Sequence, residues 1–333
     1  MKFVLGFLFS VVFSQVLFSQ LPGGGAGGTR TDKKVSFVPI PYISYDRSQG
    51  GQFGALPMVM YNLNKKDTIS PSSVSGALAM YTTEKTWFTM VFNKWYLKED
   101  KYRVMLAAGL GDFNFQFYSD NEFSPGFINY STGSAFAVFE VQRKIYKELY
   151  IGGRYMFLDL NTTFEGSDQN IETSSRLNGL GVIVAYDRRD NVYYPKKGYQ
   201  TNLKYISFPG FINDNISNKL EFDFDWYKGI GHKERDVIAV RLFVGAAIGD
   251  LDFNQQFIVG GIDIRGYSQG AFRGNEIVAL QSEYRWNLTE KFGLVGFGGV
   301  ATIFNAINES DDGKLLPGVG GGFRVNVFPK NHM

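Results

Sequence analysis

An all-β fold, arranged as an antiparallel β-barrel that spans a membrane, is what the sequence predicts, and three observations carry it. Fourteen segments read as alternating or continuously apolar strands, and no helical periodicity competes with them. Several exceed ten residues, the length that a tilted span of a bilayer demands. Aromatic residues gather near their ends (Trp87, Trp95, Tyr96, Tyr118, Tyr146, Tyr150, Tyr186, Trp226, Tyr227, Trp286), as an interfacial girdle requires.

Residues 1–20 read as a cleaved signal peptide: Lys2, then an apolar run from Phe3 to Phe18, broken by Ser10, Ser14 and Gln15. That run is shorter than the ~20 residues of a spanning helix, with a retained inner-membrane anchor as the alternative. Residues 21–34 form a Gly-rich linker, and the barrel is expected over 35–333. A formal charge of +2 argues for no nucleic-acid partner. With no cysteine, disulfides and thiolate metal sites are excluded. The abundance of Phe (31), Tyr (19) and Gly (39) suits strands and turns.

Strands are expected at 35–46, 52–63, 72–82, 86–97, 102–118, 134–146, 149–163, 178–187, 198–208, 218–229, 236–249, 275–286, 292–304 and 315–328. Three alternate cleanly. Phe113, Phe115 and Phe117 oppose Asp112, Asn114 and Gln116; Leu220, Phe222, Phe224 and Trp226 oppose Glu221, Asp223 and Asp225; Phe323, Val325 and Val327 oppose Arg324 and Asn326. In a sandwich the apolar face turns inward; in a membrane barrel it turns to lipid and the polar face lines the lumen. Strand length favours the barrel. Short charged turns (98–101, 146–148, 232–235, 287–290) fall on one side, and longer connections (119–133, 165–177, 209–217, 250–274, 305–314) on the other. That asymmetry matches short periplasmic turns and long outer loops. The early hairpins at 47–51 and 83–85 are exceptions, short on the outer side.

The connection 250–274 is too long for a hairpin turn, and its Phe253, Phe257, Ile258, Val259, Ile262, Ile264, Tyr267 and Phe272 would not stay dissolved on a free loop. A guanidinium in its middle, Arg265, wants a carboxylate, and Glu283 on the next strand is the nearest candidate.

The residues Ile264-Arg265-Gly266-Tyr267, with Gly260-Gly261 before them and Glu283-Tyr284-Arg285 after, closely resemble the (Val/Ile)-Arg-Gly-(Phe/Tyr) lid loop of the BamA/TamA superfamily, also called bacterial surface antigens. The resemblance implies a loop folded back into a membrane barrel, its Arg265 meeting Glu283 on the inner wall. A second match is Tyr186-Asp187-Arg188-Arg189-Asp190-Asn191, then Pro195 and Gly198-Tyr199. It is similar to the family's turn between the eighth and ninth strands. Opposed charges there can satisfy one another, while Pro195 and Gly198 set the geometry.

Three features depart from the family. The family usually carries periplasmic polypeptide-transport domains before the barrel, or an enzyme domain in some members, whereas the stretch before the first strand reads here as a linker. The strand at 292–304 lacks the further acid expected to face the loop arginine. The family barrel has sixteen strands, whereas this chain reads as fourteen, with Phe328 followed by Pro329, which cannot donate to a ladder. The expectation is therefore a chain truncated by two strands, which leaves open edges or forces a strained closure.

Other motifs carry less. Gly266-Tyr267-Ser268-Gln269-Gly270 fits G-x-S-x-G, but no helix follows and His232 lies in a turn on the opposite side of the barrel. The glycines at 23–28 fit G-x-G-x-x-G without a preceding strand or a following helix. Glu221, Asp223 and Asp225 share a face at about 7 Å spacing, a lumen wall rather than a metal cage. Neither catalysis nor a cofactor or metal is expected. The resemblance implies an outer-membrane protein that assists barrel assembly or polypeptide translocation. Its partners would be outer-membrane lipid, unfolded outer-membrane or secreted polypeptides and a separate periplasmic protein. A passive or gated channel and a structural barrel or anchor in a surface complex are the alternatives.

Overall fold

Alternating side chains let a strand present two chemically different faces, and here those faces build one antiparallel sheet. The computed structural model describes residues 35–46, 49–119, 126–164, 170–232, 235–251, 255–260, 263–267, 271–289 and 291–325. The signal, the linker, Phe328 and Pro329 lie outside them. The strands are β1 (Val35–Asp46), β2 (Gly50–Tyr61), β3 (Ser73–Thr82), β4 (Trp87–Leu97) and β5 (Tyr102–Ser119). Next come β6 (Gly126–Tyr146), β7 (Leu149–Phe164), β8 (Ile171–Asp187), β9 (Gly198–Phe208), β10 (Ser217–Ile230) and β11 (Asp236–Gly249). The two-residue β12 (Phe257–Ile258), β13 (Arg273–Asn287), β14 (Phe292–Ala306) and β15 (Leu316–Val325) complete the order. Each strand pairs with its neighbour in sequence, except that β11 pairs with β13, and β12 flanks β13 as an added piece. Among the described residues β1 and β15 are not paired with each other. No described helix is long and apolar enough to cross a membrane.

Contacts between distant strands show the sheet curled on itself. The turn after β8 reaches the turn after β2 on one side and the end of β13 on the other, through Tyr193 to Ser72 and Tyr194 to Asn287. Outward positions carry an exposed apolar band, including Val91, Leu110, Val182, Leu220, Leu280 and Phe323. A band of that extent suits lipid rather than water.

The inward face corrects the expected polar lumen. From β1 to β9 it is a packed core: Leu56, Met58, Phe88, Phe92, Phe136 and Leu160 are among its buried side chains. Phe88 lies 5.4 Å from Phe113 and 6.1 Å from Phe136, ring centre to ring centre. Phe113 therefore faces inward, while Leu220 and its alternating neighbours on β10 face out. Two apolar faces on one strand are stable when one meets lipid and the other meets filling. Tyr96 and Tyr150 are likewise inside, at 3% and 1% exposure, and not in a girdle.

Two expected outer loops are largely strand. β6 begins at Gly126 and β8 at Ile171, because polar side chains there pair across the sheet. Thr132 and Thr162 hydroxyls meet at 2.8 Å, and Arg176 donates to Asp159 at 2.9 Å. Connection length is also less one-sided than expected, since 62–72 and 188–197 lie on the short-turn side. Asp67 holds the first of these, accepting from the Ile69 and Ser70 amides and the Ser70 hydroxyl.

Candidate functional site

The connection between β11 and β13 folds inward because its apolar residues find matching spaces on the wall. Phe257 pairs in register with Gly274, and Ile258 with Arg273. The Phe257 ring lies where a Cβ on Gly245 would stand, 2.5 Å from it, so the absent side chain makes its seat. Phe243 meets the same ring edge-on at 6.0 Å, and the Lys219 ammonium stands 4.1 Å from its centre. Ile258 enters the main core, while Val259 and Ile264 pack with Ile277 and Ile303. At Gly260 the backbone takes φ +113°, and a Cβ would strike the Tyr267 carbonyl oxygen. Gly266 is also left-handed, at φ +107°.

These turns deliver Arg265 to the wall. Its Nη2 donates to Glu283 Oε2 at 2.6 Å. Glu283 holds two further guanidinium groups on its other oxygen: Arg285 Nε at 2.6 Å and Arg324 Nη1 at 3.1 Å. The Phe297 ring lies 4.5 Å below the Arg265 guanidinium and is Glu283's cross-strand partner. An aromatic face thus stands on β14, where the sequence offers no acid. Gly320, opposite Phe297, leaves room for that ring; at Gly318 a Cβ would come within 2.5 Å of the Arg265 carbonyl oxygen. Tyr267 closes the motif by donating to the Pro317 carbonyl at 2.6 Å.

The β8–β9 turn forms the second half of the site. Asp187 accepts from Arg189 at 2.8 and 3.0 Å, and from Arg103 of β5 at 2.8 Å. Asn191 caps the amides of Tyr193 and Tyr194, and Asp190 those of Lys196 and Lys197. Gly198 turns at φ +94°, where a Cβ would collide with the Arg188 carbonyl. Pro195 is buried, Arg188 is exposed, and Tyr186 stacks on Tyr199 at 5.8 Å on the outer wall. Tyr194 links this turn to the loop site, with Arg285 and Arg324 at 5.7 and 5.2 Å from its ring centre.

Beside them the acidic row of β10 is balanced by cations. Lys204 lies 3.9 Å from Glu221 and 3.5 Å from Asp223, and Arg241 donates to Asp223 at 2.9 Å. Sequence reasoning missed Arg285 and Arg324 as partners of Glu283, and missed Phe297, Gly318 and Gly320. Arg285 had a signal, since it shares the face of Glu283 two residues away. The two tyrosines after the Asp-Arg-Arg-Asp-Asn run had none.

With this geometry in place, comparison with known proteins decides the family. The model of the Omp85 superfamily domain matches residues 73–327. The chain belongs to the Omp85 superfamily. Barrels of this superfamily are outer-membrane proteins, and solved Omp85 structures share the fold. BamA from Haemophilus ducreyi lacking POTRA domains 1–3 superposes with a TM-score of 0.58 at 13% identity, over 88% of this chain and 64% of that one. CdiB from Escherichia coli gives 0.60 at 12% identity, covering 88% of this chain and 56% of that one. CdiB from Acinetobacter baumannii gives 0.55 at 12% identity, covering 89% and 54%. The chain thus spans between about half and two thirds of the length of these structures. No curated protein matches it.

Proposed function

We propose that this Omp85 barrel resides in the outer membrane, after export by its N-terminal signal, and handles polypeptides, assisting the assembly of other barrels or their translocation. The observation that carries this reading is the occupied interior. Phe, Met and Leu side chains fill one wall, and an inward loop is tied to the other by Arg265 and Glu283. Free diffusion of solutes asks for a wide wet lumen, which such packing opposes. In this reading the Ile264-Arg265-Gly266-Tyr267 loop is a lid that braces the wall near β13–β15, and the β8–β9 turn is a fixed brace across the short-turn end. A separate periplasmic protein would deliver the unfolded chain. Depletion of the protein, followed by quantification of outer-membrane proteins, tests the proposal. Loss of other barrels or of a secreted polypeptide is expected; unchanged levels with reduced solute uptake would overturn it in favour of a channel.

A further inference from the structure

The β4–β5 turn is strained and held by the turn beside it. Lys98, Glu99 and Asp100 all take left-handed backbone angles, φ 54°, 61° and 58°, which L-residues other than Asn and Asp rarely adopt. The β2–β3 turn clamps them: the Glu99 amide donates to Asp67 at 2.8 Å, and the Asp100 amide to the Ser70 hydroxyl at 2.8 Å. Inside the barrel the charges here are matched. Asp100 accepts from Arg103 at 2.7 and 2.9 Å and from the Tyr150 hydroxyl at 2.6 Å, with Lys144 at 4.0 Å.

Outside, they are not matched. Lys98 places its ammonium 5.6 Å from the centre of the Tyr102 ring, and Arg143, the cross-strand partner of Tyr102, stands 6.0 Å from it. Both cations are exposed, and among the described residues neither has a carboxylate within ion-pair distance. Further along the same outward face come Leu106 and Phe139, which are register partners, and then Leu110. The neighbouring Trp95 also lies on this face, its indole donating to the Tyr61 hydroxyl at 2.8 Å. The order from the turn upward is therefore cation, aromatic ring, then aliphatic surface, which is the order of a phospholipid from phosphate to acyl chain.

We propose that Lys98 and Arg143, set around Tyr102, bind the phosphate of an anionic phospholipid whose acyl chains lie along β5 and β6. Charge complementarity calls for an anion, and continuity with the apolar band chooses a lipid over an acidic protein; the inference rests on the outward face meeting lipid. The clamped turn fixes the backbone that carries Lys98, so only its side chain is left to be ordered when lipid arrives.

The test uses the full chain folded into nanodiscs of mixed phosphatidylcholine and phosphatidylglycerol, with retained lipids counted by native mass spectrometry. The wild type should retain phosphatidylglycerol in preference. Lys98→Gln and Arg143→Gln should each lower that preference about five-fold, from roughly 1 kcal/mol per basic residue at an anionic surface. Lys98→Arg with Arg143→Lys should keep it, and Lys228→Gln, on the exposed face of β10, should not change it. Equal retention of both lipids by the wild type overturns the proposal even if no variant folds. So does an unchanged preference in the glutamine variants, or displacement of the lipid by inorganic phosphate or by a polyglutamate peptide. A chain that never enters the nanodisc overturns the lipid-facing reading itself, and the site with it.

Discussion

At the scale of single residues, Glu283 is the hub, and its surroundings set an order among substitutions. Arg265→Ala removes one hydrogen bond to a charge from a side chain that is 37% exposed, so a cost near 1.5 kcal/mol is expected, the low end for such bonds. Glu283→Ala removes the carboxylate that three guanidinium groups share and leaves Arg285 and Arg324 facing each other without it. Its cost should approach the roughly 3–5 kcal/mol of a broken buried pair. The double variant should then be no worse than Glu283→Ala alone, because the arginine has lost its partner already. Limited proteolysis of the loop between β11 and β13, with denaturant midpoints of the folded barrel, measures both; strictly additive effects would separate the two residues. Gly318→Val makes a sharper test of the seat, since its new side chain would press on the Arg265 carbonyl, which belongs to backbone. Loop cleavage should rise while the outer wall stays folded.

At the scale of elements, the β2–β3 and β4–β5 turns act as one unit stitched by Asp67. Burial pushes its carboxyl up, but the Ser70 amide and hydroxyl and the Glu99 and Ile69 amides outweigh that and bring it from 3.8 down to about 2. A folded value below the unfolded one means a contribution fully present above pH 3.8 and lost as pH falls through about 2. Its size is on the order of 2 kcal/mol. Acid denaturation profiles of the folded barrel should show this loss, and Asp67→Ala should flatten the profile across that window while lowering stability at neutral pH. An unaltered profile in the variant would mean that the clamp on Glu99 and Asp100 contributes nothing.

At the scale of the whole molecule, the interior decides behaviour. If the β1–β9 side is as dry as its burial indicates, Phe92→Ala should cost about 3–5 kcal/mol, as in a soluble core. A side chain lining water would lose far less. Guanidinium unfolding of the refolded barrel gives the number. Planar-bilayer recording should show little conductance from the wild type and more from Phe92→Ala or Arg265→Ala, because both remove material from the lumen.

Much of the fold was legible in the chain itself. Apolar runs and alternation, bounded by turn residues, placed β1, β9 and β11 at their residues, since a strand buried or facing lipid shows itself in hydrophobicity alone. The same local rule misjudged β6 and β8, where Ser, Thr, Asn and Gly read as loop but pair across the sheet. The loop and turn motifs were legible because they combine unusual residues at short range: Arg265 among apolar neighbours, and opposed charges beside Pro195 and Gly198. The sequence by itself therefore determined the all-β class, the strand order and the residues to watch. Only the tertiary structure decided what fills the barrel. Phe88, Phe113 and Phe136 are equally good on lipid or in a core, and hydrophobicity does not distinguish the two apolar environments. Nor could spacing bring Arg324 to Glu283 or Tyr194 to Asn287, for those contacts cross the sheet and arise from its curl in space.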